Sequence, residues 1–268
     1  MSLTYSSYLK IDELLELQVP RSGGNWDDAE HDEMLFIVIH QVYELWFKQI
    51  LHELDHLVDG FEAHRPHDDR SPFVRHALQR VLTILKTMVA QIDVLETMTP
   101  ISFSSFRSRL EEASGFQSPQ FRELEFLLGH RREGMLAYHE GNERALHRLR
   151  SRLEQPTLYQ SFLRYLGRSG HPVPDRVYAE LEEPLVELPE VRSTLVATYR
   201  EMSPMAEVCE RLVDFDEGLQ EWRYRHVKMV ERTIGMKKGT GGSSGAEYLR
   251  GTLFRPLFPD LWAIRSEL

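Results

Sequence analysis

A single cysteine, Cys209, occurs in the 268 residues, so no intrachain disulfide can form. That usage suits a reducing compartment and points to the cytoplasm. Long apolar runs are also missing: "MLFIVI" is far shorter than the roughly 20 residues that span a bilayer. The opening "MSLTYSSYLKIDELLEL" has neither the basic start nor the apolar centre of a secretory signal. Positive charge is in deficit, with 32 basic residues against 42 acidic ones and a net charge of −10. Such a surface repels phosphate backbones and anionic lipid, so neither nucleic acid nor membrane is an expected partner. Alternating β-branched runs joined by hairpin turns are lacking as well, which argues against a sheet.

What is present is helical period. From Asp32 to about Gly60, the residues Phe36, His40, Tyr43, Phe47, Ile50, Leu54, Val58 and Phe61 recur at steps of three and four, a single stripe on a helical wheel. A second helix is expected from Val74 to Glu96. A short one should start at Pro100 with Thr99 as its cap. Further segments are expected from Pro119 to His139 and from Glu143 to Leu166. A last long helix should run from Glu190 to Ile234, kinked at Pro204. The fold class is all-α, a large helical bundle, and an unchanging composition makes residues 1–268 a single domain. An oligomer intertwined across subunits fits the wide aromatic stripes.

Three patterns carry candidate chemistry. The first, "HELDH" (His52 to His56), matches the zinc peptidase pattern H-E-x-x-H. On the wheel, however, both histidines face away from the apolar stripe, and nothing singles out a third ligand. A solvated helix face accounts for them better. The second pattern is a pair of histidines on apolar stripes. His40 follows Phe36 by one turn, and His226 sits in the seam Val208, Leu212, Phe215, Leu219, Trp222, Met229, Thr233. Singly, each reads as a hydrogen-bonded core histidine. Together, aimed into one aromatic interior, they are what a haem pocket requires, with one imidazole on the iron and the other over the opposite face. As no C-x-x-C-H occurs, any haem would be held non-covalently. The third is Arg107, one turn after Phe103 on the short helix. It either snorkels to solvent or, partly buried, grips a carboxylate through two parallel hydrogen bonds.

The stretch "KKGTGGSSG" (Lys237 to Gly245) resists both phosphate readings. Its lysines precede the glycines, a helix precedes both, and the glycine spacing fits no dinucleotide fingerprint. A mobile loop that closes over a ligand and offers Thr240, or a plain flexible linker, is left open by the spacing.

Several stretches resemble the haem-dependent tryptophan 2,3-dioxygenase family: "LTYSSYLKIDELL", "HDEMLFIVIHQVYELWFKQILHEL", "VLETMTPISFSSFR", "SGFQSPQFRELEFLLG" and "EWRYRHVKMVERTIGMKKGTGGSSG". They run from Leu3 to Gly245 in the family's order. The resemblance implies an all-α homotetramer with one haem b per subunit, O₂ as co-substrate and L-tryptophan as substrate. Carried over position by position, it makes His226 the proximal iron ligand and His40 the distal histidine that faces the indole N–H. It places the substrate carboxylate on Arg107, with Thr240 helping to hold the amino and carboxylate groups. It also implies Phe36, Phe103 and Leu110 as the apolar wall, and Ser114 and Gly115 as the loop beside it. The N-terminal segment, residues 1–20, would contact a neighbouring subunit and lend Tyr5, Tyr8 and Leu9 to its pocket.

The activity implied is oxidative opening of the indole pyrrole ring to N-formyl-L-kynurenine, a step of tryptophan catabolism. Ser6 departs from the family's glycine, and Phe103 takes a place shared by Tyr and Phe. These motifs leave two alternatives open. One is a related haem enzyme that inserts a single oxygen and yields a 2-oxindole. The other, more remote, is a non-catalytic helical interaction protein.

Overall fold

The computed structural model describes residues 2–23, 30–63, 71–178, 187–237, 239 and 245–268. Among these, every regular element is a helix. Two short helices open the chain, α1 (Tyr5–Leu9) and α2 (Ile11–Leu15), hinged on Lys10 at φ 55°. The long α3 (His31–Glu62) and α4 (Ser71–Leu95) follow, then α5 (Pro100–Arg107), α6 (Pro119–Leu127), α7 (Glu143–Glu154) and α8 (Leu158–Arg168). The chain closes with α9 (Pro189–Arg200), α10 (Pro204–Ile234), α11 (Ala246–Arg250) and α12 (Pro259–Ala263). No described helix is long and apolar enough to cross a membrane.

The expected first stripe is the face that α3 buries. Phe47, Ile50, Leu54 and Phe61 are in the core, while Phe36, Tyr43 and Val58 pack partly buried against it. That face meets α4, and α4 in turn packs along α10, the most extensive helix pairing in the fold. At Gly60 the crossing is so close that a Cβ would lie 2.6 Å from the Phe73 ring, which accounts for glycine there. Tyr43 fastens the same layers by donating to the Met88 carbonyl at 2.5 Å. On α10, the buried Asp216 carboxylate accepts from the Leu257 amide at 2.7 Å and the Trp262 indole at 2.8 Å, so the last described segment is tied to this helix.

Three expected helices prove to be broken. The 190–234 span is two helices rather than one kinked rod, because Pro204 opens α10 and Met202 turns back at φ 50°. Proline lacks the N–H that would continue the ladder, and its ring clashes with the carbonyl four residues earlier. The 119–139 span stops as α at Leu127 and resumes as a 3₁₀ turn over Glu133–His139, with Gly129 at φ 92° between them. The 143–166 span breaks around Pro156, where Gln155 is extended and Thr157 caps α8 by accepting from the Gln160 amide at 3.1 Å. The short helix α5 starts as expected, with the Thr99 hydroxyl accepting from the Ser102 amide at 3.1 Å and Pro100 in the first turn.

Candidate active site

A cavity of about 310 Å³ lies between α3, α5, α6, α10 and α11, within the size range of small-molecule sites. Each wall follows from a local rule. Helix α3 contributes Phe36, His40, Tyr43 and Phe47, every third or fourth residue of its stripe. Helix α10 contributes Trp222, Arg223, His226, Met229, Val230 and Thr233 in the same manner. Helices α5 and α6 begin in parallel ways, Thr99-Pro100 and Ser118-Pro119, and offer Phe103 and Arg107, then Phe121, Arg122 and Glu125. Between them Ser114 and Gly115 form a capped turn, in which the Gln117 side chain accepts from the Ser114 amide at 3.2 Å.

His40 and His226 thus come from different helices to one cavity, near enough that the charge of one would oppose that of the other. Burial, then His40 and Arg223, pushes the His226 imidazole down to about 4, so it is neutral at physiological pH. Its ring lies parallel to Trp222, with centroids 5.4 Å apart and planes 6° apart. Trp222 is in turn wedged by Phe47, Phe121 and Tyr43, at 5.9, 5.5 and 6.2 Å between centroids.

The His40 ring is accessible from the cavity side but crowded on the others. Burial accordingly lowers its affinity for a proton, and the Phe36 carbonyl and Glu44 offset this only in part. Its Nδ1 lies 2.6 Å from the Phe36 carbonyl oxygen. A carbonyl only accepts, so Nδ1 carries the proton and Nε2 of the neutral ring is the acceptor. Phe36 stacks obliquely on His40 at 4.1 Å and meets Phe103 at 5.7 Å, giving a continuous aromatic wall.

One group of residues at this cavity carried no warning in the stripe patterns. Glu125 is 2 % exposed and sits amid Arg122, Arg132 and Arg223. Arg122 pairs with it through Nη1; Arg132 reaches its two oxygens at 3.1 and 2.9 Å, and Arg223 approaches at 3.2 Å. Burial alone would raise the Glu125 carboxyl, but the three guanidinium groups hold it below the usual range. Arg132 also donates to the Tyr248 hydroxyl on α11 and lies over that ring. The available signal was in "FRELEFLL": charged residues inside a short helix whose last six positions are all buried.

Beside this group, burial and Arg223 push His130 down to about 4, against a normal 6.5. Below pH 6.5 the unfolded chain takes a proton there that the folded one refuses, so stability present above pH 6.5 is lost progressively toward pH 4. The shift sets a ceiling of about 3 kcal/mol on that loss. His130→Gln should flatten the decline in urea midpoint between pH 7 and pH 4.5; an unchanged decline would assign it to other groups.

Of the residues expected from sequence, Phe36, His40, Phe103, Arg107, Ser114, Gly115 and His226 line the one cavity. Leu110 does not line it; like Phe36 and Phe103 it packs half-buried against the main core. Thr240 lies outside the described residues, although Gly239 and Gly245 border the cavity. Gly245 takes φ 63°, and a Cβ there would lie 2.7 Å from the Lys237 carbonyl, so only glycine closes this turn. Tyr5, Tyr8 and Leu9 sit on α1 at 77 %, 69 % and 42 % exposure, apart from the cavity of their own chain. His52 and His56 are exposed, and no cluster of three metal-binding groups occurs among the described residues. Glu53 of that motif turns inward and pairs with Arg80 at 2.8 Å.

An all-α interior with two neutral imidazoles, aromatic walls and buried arginines defines the class: a helical protein with an aromatic-lined cavity of small-molecule size. The sequence profile of the tryptophan 2,3-dioxygenase family matches residues 1–168 and 191–268. A tryptophan 2,3-dioxygenase of Herpetosiphon aurantiacus is 56 % identical over 268 residues, covering 100 % of this chain and 99 % of the relative. Another, from Anaeromyxobacter sp. (strain K), is 55 % identical over 270 residues, covering 100 % and 97 %. One from Caulobacter vibrioides is 42 % identical over 273 residues, covering 99 % and 98 %. The chain belongs to the tryptophan 2,3-dioxygenase family, a family of haem enzymes that use O₂.

Proposed function

We propose that the chain holds haem b non-covalently in this cavity and opens the indole ring of L-tryptophan with O₂ to give N-formyl-L-kynurenine. Full-length relatives at more than half identity, all named for this activity, favour ring opening over single-oxygen insertion. The observation that carries the site reading is the pair of histidines: His226 and His40, both held neutral, look into one aromatic cavity. The donor set fits haem. A neutral imidazole is an axial ligand for haem iron, and aromatic side chains suit a porphyrin face. His226 would hold the iron, and bound haem would supply the activation of O₂.

The protein's share is orientation. Nε2 of His40, left as an acceptor by the Nδ1 bond to Phe36, would take the indole N–H. Phe36 and Phe103 would press on the flat face of the indole. Arg107, at the rim beside Ser114 and Gly115, would take the substrate carboxylate, with Thr240 assisting at the ammonium. Holding the C2–C3 edge at one spot in a water-poor cavity is where most of the rate gain would arise. We further read the exposed Tyr5, Tyr8 and Leu9 as the contribution of each subunit to its neighbour in a homotetramer. The Gln18 and Gln41 side chains, 2.6 Å apart, secure the base of that arm to α3 one residue from His40. The whole chain then acts as one domain in the cytoplasm.

The purified protein should be red, with a Soret band that shifts when tryptophan is added. With isotopically labelled O₂, both oxygen atoms should appear in the product. A single labelled atom would move the chain to the oxindole route, and a colourless protein would remove the haem reading.

A further inference from the structure

Phe254 is held in a left-handed turn, at φ 58°, a conformation in which a Cβ crowds the following carbonyl oxygen. Its ring is 89 % exposed, so no packing of the side chain offsets that strain. The turn is held instead by Gln220 of α10. The Gln220 Oε1 accepts from the Phe254 amide at 3.2 Å, and its Nε2 donates to the Arg255 carbonyl at 2.7 Å. One side-chain amide therefore grips a backbone donor and a backbone acceptor on adjacent residues. One turn earlier on α10, Asp216 takes the Leu257 and Phe258 amides at 2.7 and 3.4 Å. Pro256, between the two grips, fixes its own φ and has no N–H to place.

This turn adjoins the cavity. Tyr248, Leu249 and Thr252, on and just after α11, line it, and only Leu253 separates Thr252 from Phe254. A helix of five residues is too short to fix its own position. Its ion pair from Arg250 to Glu231 is at the surface, where such pairs contribute little. Strain that the surroundings hold in place is characteristic of segments with a positioning task. Gln220 itself does not border the cavity, so any effect it has there passes through the turn.

Resting on the function proposed above, we propose that Gln220 is a positioning residue for the substrate. By keeping Phe254 left-handed it fixes the C-terminal end of α11, and with it the cavity wall of Tyr248, Leu249 and Thr252. The stretch that bears Thr240 enters the same helix from its other end, so the grip is the fixed end of that whole segment.

The test compares wild type, Gln220→Ala and the double variant Gln220→Ala/Phe254→Gly. Gln220→Ala should raise KM for tryptophan about fivefold or more, the worth of one or two neutral hydrogen bonds. Its kcat and haem spectrum should stay near those of the wild type. Hydrogen exchange in residues 246–253 should speed up by a similar factor. Glycine adopts a positive φ without strain, so the double variant should return KM to within about twofold of wild type. Wild-type KM in Gln220→Ala, or no recovery in the double variant, would overturn the proposal. So would a parallel loss of haem, kcat and substrate affinity, the mark of a merely structural role. Unchanged exchange in Gln220→Ala overturns the grip whatever the enzyme does. A wild type that oxidises no tryptophan, while Gln220→Ala still loosens residues 246–253, overturns the function proposed above and leaves the grip standing.

Discussion

His226→Ala should yield a folded protein that no longer retains haem through purification. His226 is half-buried and faces the cavity, so its loss leaves the apolar seam of α10 intact, and the denaturation midpoint of the haem-free protein should hardly move. What disappears is the strong neutral donor on that wall, held by Trp222 in a parallel stack. Losing an axial ligand should weaken haem binding by about 100-fold or more, since even the residues that merely support a ligand are worth about 10–100-fold. Free imidazole should enter the space left by the side chain and restore a ligated spectrum. An unchanged Soret band and ligand field in the variant would show that His226 is not the ligand.

Arg107→Leu should raise KM for tryptophan about 10–100-fold, the equivalent of about 1.5–3 kcal/mol for a hydrogen bond to a charged group. Arg107 borders the cavity from the last turn of α5, next to the aromatic wall of Phe103 and Phe36. Leucine keeps the apolar stem and removes only the planar fork, so the haem spectrum should remain that of the wild type. Arg107→Lys separates charge from geometry. A point charge attracts a carboxylate but does not offer two parallel bonds, so the lysine variant should recover part of the affinity and less of kcat. Wild-type KM in the leucine variant would move the substrate carboxylate to another group.

Much of this architecture was legible before any coordinates. The stripe of α3, the Thr99-Pro100 start of α5 and the two histidines at apolar positions are local signals, and they appear where the period of 3.6 places them. The breaks were less legible. Pro204 could kink or end a helix, and the left-handed turn at Met202, invisible to periodicity, decided for an end. Glu125 and its arginines were missed for another reason. Charged side chains within three or four residues of one another normally mark a solvated face, and only the packing of α6 on all sides turns them inward. Leu110, which only the resemblance implied as a cavity wall, packs half-buried against the core as Phe36 and Phe103 do, and does not itself line the cavity.

The two flanks of the cavity differ in stiffness. Phe36, His40 and His226 stand on helices of 32 and 31 residues, both packed along α4 and stapled by bonds such as Tyr43 to Met88. Arg107 and Tyr248 stand on helices of eight and five residues, each replaceable in position at far smaller loss of contact. Ligand traffic should therefore pass on the side of the short helices, by breathing motions that leave the imidazoles in place. Hydrogen exchange would read this directly as slow amides along α3 and α10 and fast ones along α5 and α11. On the function proposed above, the part that would grip the iron is a frame, and the part that would admit the amino acid is a gate hung on it.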